Sequence, residues 1–327
     1  MRTFRDFMET ALYDPERGFY AVREKSADFY TAPELHGAFG SVLADRLAAL
    51  LGRLGEGPLT LVEAGCGDGT LACQVARRLR EAHAPLCARL SFVLVERNRK
   101  DLTEAARRLT AFGLPVAART SVEKLPAFSG ALYSNELIDA LPFHVLERRG
   151  DEVLELFVDE RGEEALKPLS RPELAAPAAA VKDALGDGGR HAVSLEAAAW
   201  MSAAAERLTR GFVLTADYGK RFTPDAPNPP RSFRRHALES ELTRGSRDLT
   251  ASADFDALIT AGAARGLAVE AYESLSRFLV DGGIERHFAA AAGDDASSYS
   301  ERAKLKTLMH PEGMGEAFKV LIQRKAI

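Results

Sequence analysis

The sequence has little cysteine: Cys66, Cys73 and Cys87 in 327 residues, with no C-x-x-C spacing. This excludes a disulfide framework and a cysteine-built zinc site, and it gives the expectation of a reducing, cytoplasmic compartment and no metal. Also missing is an apolar run of transmembrane length. Asp6 and Glu9 interrupt the N-terminal stretch where a signal peptide would be apolar, so no membrane partner is expected. Charge of one sign is scarce too. A formal net charge of −4 argues against generic binding to a nucleic-acid backbone. The one basic run, Arg231-Ser232-Phe233-Arg234-Arg235-His236, reads as a solvated loop. No internal repeat is visible. What remains, 46% hydrophobic and 28% charged, is an ordinary globular composition, long enough for one large domain with a subdomain or for two modest domains.

Against that background one stretch carries information. Leu59-Thr60-Leu61-Val62-Glu63 is a short apolar run that ends in a carboxylate. Gly65-Cys66-Gly67-Asp68-Gly69 follows, and residues 71–79 then show helical spacing of apolar side chains. Strand, glycine loop and helix make the layout of a nucleotide-cofactor site, because glycine lets backbone approach a ligand and a helix N-terminus is partly positive. A dinucleotide site wants G-x-G-x-x-G/A. Here the third glycine comes one place early, and Glu63, two places before the first, suits a cofactor bearing an ammonium group. Cys66 reads as a small neutral loop residue. The loop resembles motif I of class I S-adenosylmethionine (SAM) methyltransferases.

A second buried-type run, Leu90–Val95, ends in Glu96, which in a doubly wound sheet lies beside the first loop and can accept from both ribose hydroxyls. A nicotinamide-dependent dehydrogenase is disfavoured, since Glu96 lies farther on than the about 20 residues of that motif. A short strand over 116–119 is followed by Ser121, a candidate contact for an adenine ring. The strand Gly130–Ser134 runs into Asn135, Glu136 and Asp139, which fall on the same edge as the glycine loop. If a helix begins here, Glu136 and Asp139 share a face. Residues 143–168 read as a β-hairpin turning at Arg149-Gly150-Asp151, and 170–190 as a connector. A fifth strand ends in Asp217-Tyr218-Gly219, helices fill most of 275–309, and Phe318–Ile322 closes the chain as a strand. The N-terminal 55 residues look mainly helical, with Phe4, Phe7, Met8, Ala11 and Leu12 on one face and turns at 13–20 and 28–34. Alternating strands and helices predict a mostly parallel α/β sheet with helices on both faces.

Several blocks carry a closer resemblance: Ala11–Pro15 through Gly18-Phe19-Tyr20, Asp28–Glu34 with Phe39-Gly40, Ser134–Pro142, Asp217-Tyr218-Gly219, Asp248–Ala251 with Asp254-Phe255, and Met314-Gly315 with Phe318–Leu321. Over nearly its whole length the chain resembles the MidA family, relatives of the mitochondrial complex I assembly methyltransferase. The resemblance implies a class I SAM-dependent methyltransferase fold: a Rossmann-like, seven-stranded, mostly parallel sheet with an N-terminal helical extension and an inserted β-hairpin segment. In chain order this gives an extension or lid over 1–55, a SAM-binding half over 56–142, the hairpin and connector over 143–190, and the second half with substrate-side loops over 191–327.

The resemblance also implies methylation of a protein, with an arginine of a complex I subunit the target of the mitochondrial member. Under that reading SAM is held by Glu63, Gly65, Gly67, Gly69 and Glu96, with Asn135 at its methionine end, Ser121 near the adenine, and Thr31 and Glu34 closing over it. Glu136 and Asp139 are the candidate catalytic residues, able to bind two nitrogens of a guanidinium and leave a third aimed at the methyl group. Departures stand at Cys66, where the family usually has proline, at Asp68, where it often has a basic residue, and at Pro229-Pro230-Arg231, where a glycine-led segment is absent. A small-molecule O- or N-methyltransferase and a non-catalytic SAM-binding assembly factor are the alternative functions.

Overall fold

The computed structural model describes residues 1–22, 31–223, 226–234, 237–239 and 248–327. The expected turn at 28–30, and Arg235 and His236 of the basic run, lie outside the described residues. The chain forms two compact units. The larger comprises Tyr30–Leu137, Trp200–Tyr218 and Ile259–Ile327; the smaller comprises Met1–Phe29, Ile138–Ala199 and Gly219–Leu258. The units therefore part near residues 29, 137, 199, 218 and 258, not at the expected 55, 142 and 190. The N-terminal 55 residues belong to both, because helix Phe4–Tyr13 packs into a core built from strands far away in sequence.

Among the described residues of the larger unit seven strands form one sheet, to which Ala253–Asp254 of the smaller unit adds beside Gly219 and Lys220: β1 (Leu59–Ala64), β2 (Leu90–Val95), β3 (Val116–Arg119), β4 (Phe128–Asn135), β5 (Leu208–Lys220, to Tyr218 in this unit), β6 (Ala268–Ser274) and β7 (Phe318–Lys325). Their spatial order is β6-β7-β5-β4-β1-β2-β3. All pairs from β5 to β3 are parallel, and β7 is antiparallel to both its neighbours. The central strands are near-continuous apolar runs because helices cover both faces of a parallel sheet. Helix α1 (Ala38–Gly52) buries Phe39, Val42, Leu43, Leu47, Leu50 and Leu51, the face that its periodicity predicts. Helix α2 (Thr70–Ala82) buries Leu71, Val75 and Leu79, and α3 (Arg99–Thr110) buries Leu102, Ala105 and Leu109. Asn98 caps α3, its side chain accepting from Lys100 N–H at 3.0 Å. The expected class I topology is therefore present.

The smaller unit holds the inserted hairpin, enlarged. Strands His144–Arg149 and Glu152–Val158 pair antiparallel with Leu146 opposite Glu155, and Gly150 turns between them at φ 57°. Arg2–Thr3, Glu164–Lys167 and Arg190–Val193 complete a five-stranded sheet, and the expected connector between them holds a helix, Ala175–Val181. Helix Phe4–Tyr13, capped by the Thr3 hydroxyl, lays Phe4, Met8 and Leu12 on Phe143, Val145, Leu156 and Val158. The basic run is not a free loop. Arg231–Arg234 is a strand between Ala237–Glu239 and Asp248–Thr250, with Ser232 fully buried.

One local expectation fails. No helix begins at Asn135: Glu136 takes φ 51° and Ile138–Ala140 is a turn, so Glu136 and Asp139 share no helix face and belong to different units. The short polar and apolar residues here satisfy their backbone through strand-end contacts instead of an i→i+4 ladder.

Phe143 is 2% exposed and stacks on Phe4 with ring centroids 5.6 Å apart. Phe143→Ala should lower stability by about 3–5 kcal/mol, measured as a shift of the urea midpoint at unchanged slope.

Candidate functional site

The glycine loop is built by left-handed backbone. Gly65, Gly67 and Gly69 have φ of 71°, 50° and 80°, a region that L side chains disfavour. The N–H groups of Gly65 and Cys66 both donate to Val95 O, at 2.8 and 3.2 Å, which ties the loop to the end of β2. The glycines are not equivalent. A Cβ on Gly69 would lie 2.8–2.9 Å from Ala105 of α3, and one on Gly65 would lie 2.9 Å from the Leu137 side chain. A Cβ on Gly67 would meet nothing within 4 Å. Gly69 and Gly65 thus serve packing, while Gly67 borders open space.

Glu96 faces this loop. Its Oε2 accepts from Gly67 N–H at 3.1 Å and its Oε1 from Asn98 N–H at 2.8 Å. Because Asn98 caps α3, Glu96 is not engaged as the start of that helix. Burial raises its pKa above the usual carboxylate range, partly opposed by the two backbone donors. Glu63 on β1 is buried, its Oε2 accepting from Tyr133 O–H at 2.7 Å. Burial pushes its pKa up to about 8, with the Tyr133 hydroxyl acting against the rise and the negative charges of Asp68 and Glu96 adding to it. Asp68 is drawn away from the cleft. Its Oδ1 accepts from Thr70 N–H and Oγ1, and its Oδ2 pairs with Arg108 at 3.0 Å, which compensates its charge. Burial pushes the Cys66 thiol far up, consistent with an inert loop residue.

At the end of β4, Glu136 Oε1 accepts from two donors at 2.9 Å, Ala32 N–H and Asn135 Nδ2. This carboxylate therefore fastens the turn at 31–35 to the strand end. Gln74 of α2 holds the same turn from the other side, its Nε2 donating to Pro33 O at 2.8 Å. Thr31 and Glu34 reach the edge, but their polar groups cap the short helix Ala32–Leu35: Glu34 Oε2 accepts from Thr31 N–H at 2.9 Å and from Thr31 Oγ1 at 3.0 Å. Ser121 follows β3 and precedes the short turn Val122–Lys124, half-buried. Thus Thr31, Glu34, Glu63, Gly65, Gly67, Gly69, Glu96, Ser121, Asn135 and Glu136 all lie in the larger unit, at or near the carboxyl ends of its strands. Asp139 lies in the smaller unit, where Thr250 Oγ1 contacts both its carbonyl and its Oδ2 at 3.2 Å. Burial raises the Asp139 pKa to about 6 despite Thr250 and the nearby Arg231.

Sequence reasoning did not single out Gln74, Arg108 or Tyr133. Asp217 belongs to the Asp-Tyr-Gly segment and, like Glu63, is a buried carboxylate near the carboxyl end of a strand. The described residues contain no cluster able to hold a metal and no helix long and apolar enough to cross a membrane.

A strand-end carboxylate bonded to the middle glycine of a left-handed loop, at the switch point of a seven-stranded sheet, is a cofactor-binding geometry. Residues 42–273 match the family described as "Putative S-adenosyl-L-methionine-dependent methyltransferase". The chain belongs to this family. Its members use SAM, and the donor set here fits that cofactor: carboxylates for hydroxyl and ammonium groups, and room beside Gly67. Among curated relatives, Protein arginine methyltransferase NDUFAF7, mitochondrial, of Xenopus tropicalis is 28% identical over 287 residues, covering 78% of this chain and 66% of the relative. The Caenorhabditis elegans homolog is 25% identical over 296 residues, covering 79% and 67%. The chain therefore spans about two thirds of the length of those relatives. A crystal structure of a Burkholderia thailandensis protein bound to S-adenosyl-homocysteine superposes with a TM-score of 0.82 at 27% identity, covering 99% of this chain and 87% of that one. These matches bear out the MidA-type resemblance and the class I fold.

Two tests follow from the loop. Gly67→Ala should fold with a loss of about 1 kcal/mol for its left-handed backbone yet fail to bind S-adenosyl-homocysteine in calorimetry. Gly69→Ala should cost more stability because it strikes Ala105. Equal stability losses, or retained binding in Gly67→Ala, would contradict the division of labour.

Glu63 gives a pH dependence. Its carboxyl binds a proton more tightly in the folded protein than in the unfolded chain, so its contribution to unliganded stability falls as pH rises from about 4.5 to about 8. A ligand ammonium set against Glu63 must displace that proton. Affinity for S-adenosyl-homocysteine should then rise between pH 6 and 8, with proton release visible in buffers of different ionisation enthalpy, and Glu63→Gln should remove both effects.

Proposed function

We propose that this protein transfers the methyl group of SAM to an arginine side chain of a protein. The observation that carries the reading is the hydrogen bond from Gly67 N–H to Glu96, which sets a ribose-type acceptor against the glycine loop. The names of the curated relatives support arginine as the acceptor. Glu96 is assigned the ribose hydroxyls, Glu63 the ammonium group, the Gly65–Gly69 backbone the closest approach, and Asn135 the amino-acid end. When bound, SAM supplies a sulfonium-activated methyl group for in-line displacement. The chain's task is then alignment, because a guanidinium keeps its proton at neutral pH and needs a nitrogen aimed at the methyl carbon more than a strong base. Asp139 is assigned to the acceptor, as the carboxylate that takes a guanidinium while ionised. Glu136, which holds Ala32 and Asn135, contributes to the cofactor side through the turn that it fastens.

Incubation with methyl-labelled SAM and cell lysate should put label into acid-precipitable protein and, after hydrolysis, into methylarginine. Label in the small-molecule fraction alone would establish the alternative acceptor class. Asp139→Asn should lower transfer at least about tenfold, the scale of a hydrogen bond to a charged group, with affinity for S-adenosyl-homocysteine unchanged. In the unaltered protein kcat/KM for the acceptor should fall as pH drops through about 6, where Asp139 takes up its proton. A flat profile between pH 5 and 7.5 would remove Asp139 from acceptor binding.

A further inference from the structure

Asp217 is fully buried in β5, one residue beyond Ala216, where that strand's pairing with β4 ends. Its Oδ2 accepts from Leu137 N–H at 3.1 Å and its Oδ1 from Tyr218 N–H at 2.8 Å. The neighbouring Glu136 N–H donates to Ala216 O at 3.0 Å. These contacts hold the bend that follows β4, including the left-handed Glu136, against the end of β5. The Leu137 side chain then sits over the first glycine of the loop, filling the position that a Cβ on Gly65 would take. Asn135, one residue before the bend, has its amide nitrogen on Glu136 Oε1, and its Oδ1 is buried with no partner among the described residues.

We propose that Asp217 is a positioning residue for the amino-acid end of the cofactor, acting through Leu137 on Gly65 and through the bend on Asn135. The inference rests on the assignment of SAM to the glycine loop and adds a specific geometric consequence. In the sheet, β4 and β5 lie on one side of β1, while β2 and β3 lie on the other. Glu96, at the end of β2, borders the nucleoside end, whereas Asp217, Leu137 and Asn135 border the opposite end. A defect at Asp217 is therefore felt by the amino-acid half of the ligand and not by the nucleoside half. A purely structural role makes no such distinction, because general loosening weakens both halves alike.

Two ligands separate these cases in calorimetry: S-adenosyl-homocysteine, which carries the amino-acid end, and 5′-methylthioadenosine, which lacks it. Asp217→Asn keeps the shape but replaces one carboxylate acceptor by an amide donor. It should weaken S-adenosyl-homocysteine about tenfold, the scale of one lost hydrogen bond to a charged group, and leave 5′-methylthioadenosine unchanged. Leu137→Ala should give the same selective loss, and it carries the test if Asp217→Asn does not fold. Equal weakening of both ligands, or of neither, overturns the positioning role. Failure of the unaltered protein to bind either ligand overturns the cofactor assignment itself.

Discussion

A single carboxylate oxygen organises the carboxyl edge of the larger unit. Glu136 Oε1 accepts from Ala32 and from Asn135, joining a turn near the N-terminus to a strand end more than a hundred residues later. The geometry requires Glu136 to adopt φ 51°, which costs a non-glycine residue roughly 1–2 kcal/mol. Hydrogen bonds to a charged group return about 1.5–3 kcal/mol each, so two of them outweigh the strain. A residue held in a disfavoured conformation by surrounding contacts is a common feature of functional edges. Here the contacts are identifiable: Glu136 N–H donates to Ala216 O, Leu137 N–H to Asp217, and Ala32 N–H to the Glu136 carboxylate.

The same edge concentrates acidic groups whose charge the protein makes costly. Glu63 and Glu96 both sit at strand ends with raised pKa, for the same first reason, burial. Asp68 differs, because Arg108 and the first turn of α2 share its charge. A ligand that brings positive charge favours the ionised form of both Glu63 and Glu96, against the burial that raises their pKa. SAM carries both a sulfonium and an ammonium, and its product keeps only the ammonium.

Much of this was legible in the sequence. The glycine loop, Glu63 and Glu96 are local signals, since strand, turn and helix succeed one another and each carboxylate ends an apolar run. The rules for parallel crossovers restrict the order of the parallel strands, but not the place of the last strand, antiparallel between two others. The Asn135–Asp139 segment was legible as a cofactor-edge block but not as a shape. Its spacing fits a helix, and only the contacts of Glu136, Leu137 and Asp217 across strands select a bend. The partition into units was hidden for the same reason. Helix Phe4–Tyr13 pairs its apolar face with Phe143 and Val158, and nothing within residues 1–55 states where that partner lies. Thr31 and Glu34 illustrate a further ambiguity: their spacing serves a capping box as readily as a ligand, and here the two residues satisfy each other.

The departures from the family at Cys66 and Asp68 bear on the cofactor less than their position suggests. A buried, protonated thiol at Cys66 replaces a proline in a loop whose shape is already set by three left-handed glycines and by two N–H groups on Val95 O. Proline there would remove one of those donors, so cysteine gains a hydrogen bond where proline gains rigidity. At Asp68 the sign of the side chain reverses, yet Arg108 reaches over from α3 and donates to Asp68 O as well as pairing with its carboxylate. The local charge is therefore restored by a neighbouring helix. The Arg231 strand is a different case. It pairs with the strand that carries Thr250, and Thr250 contacts Asp139, so a change of sequence at Pro229-Pro230-Arg231 acts on the carboxylate assigned to the acceptor. Divergence in this chain thus reaches Asp139, the carboxylate proposed for the acceptor, more directly than it alters the backbone of the glycine loop.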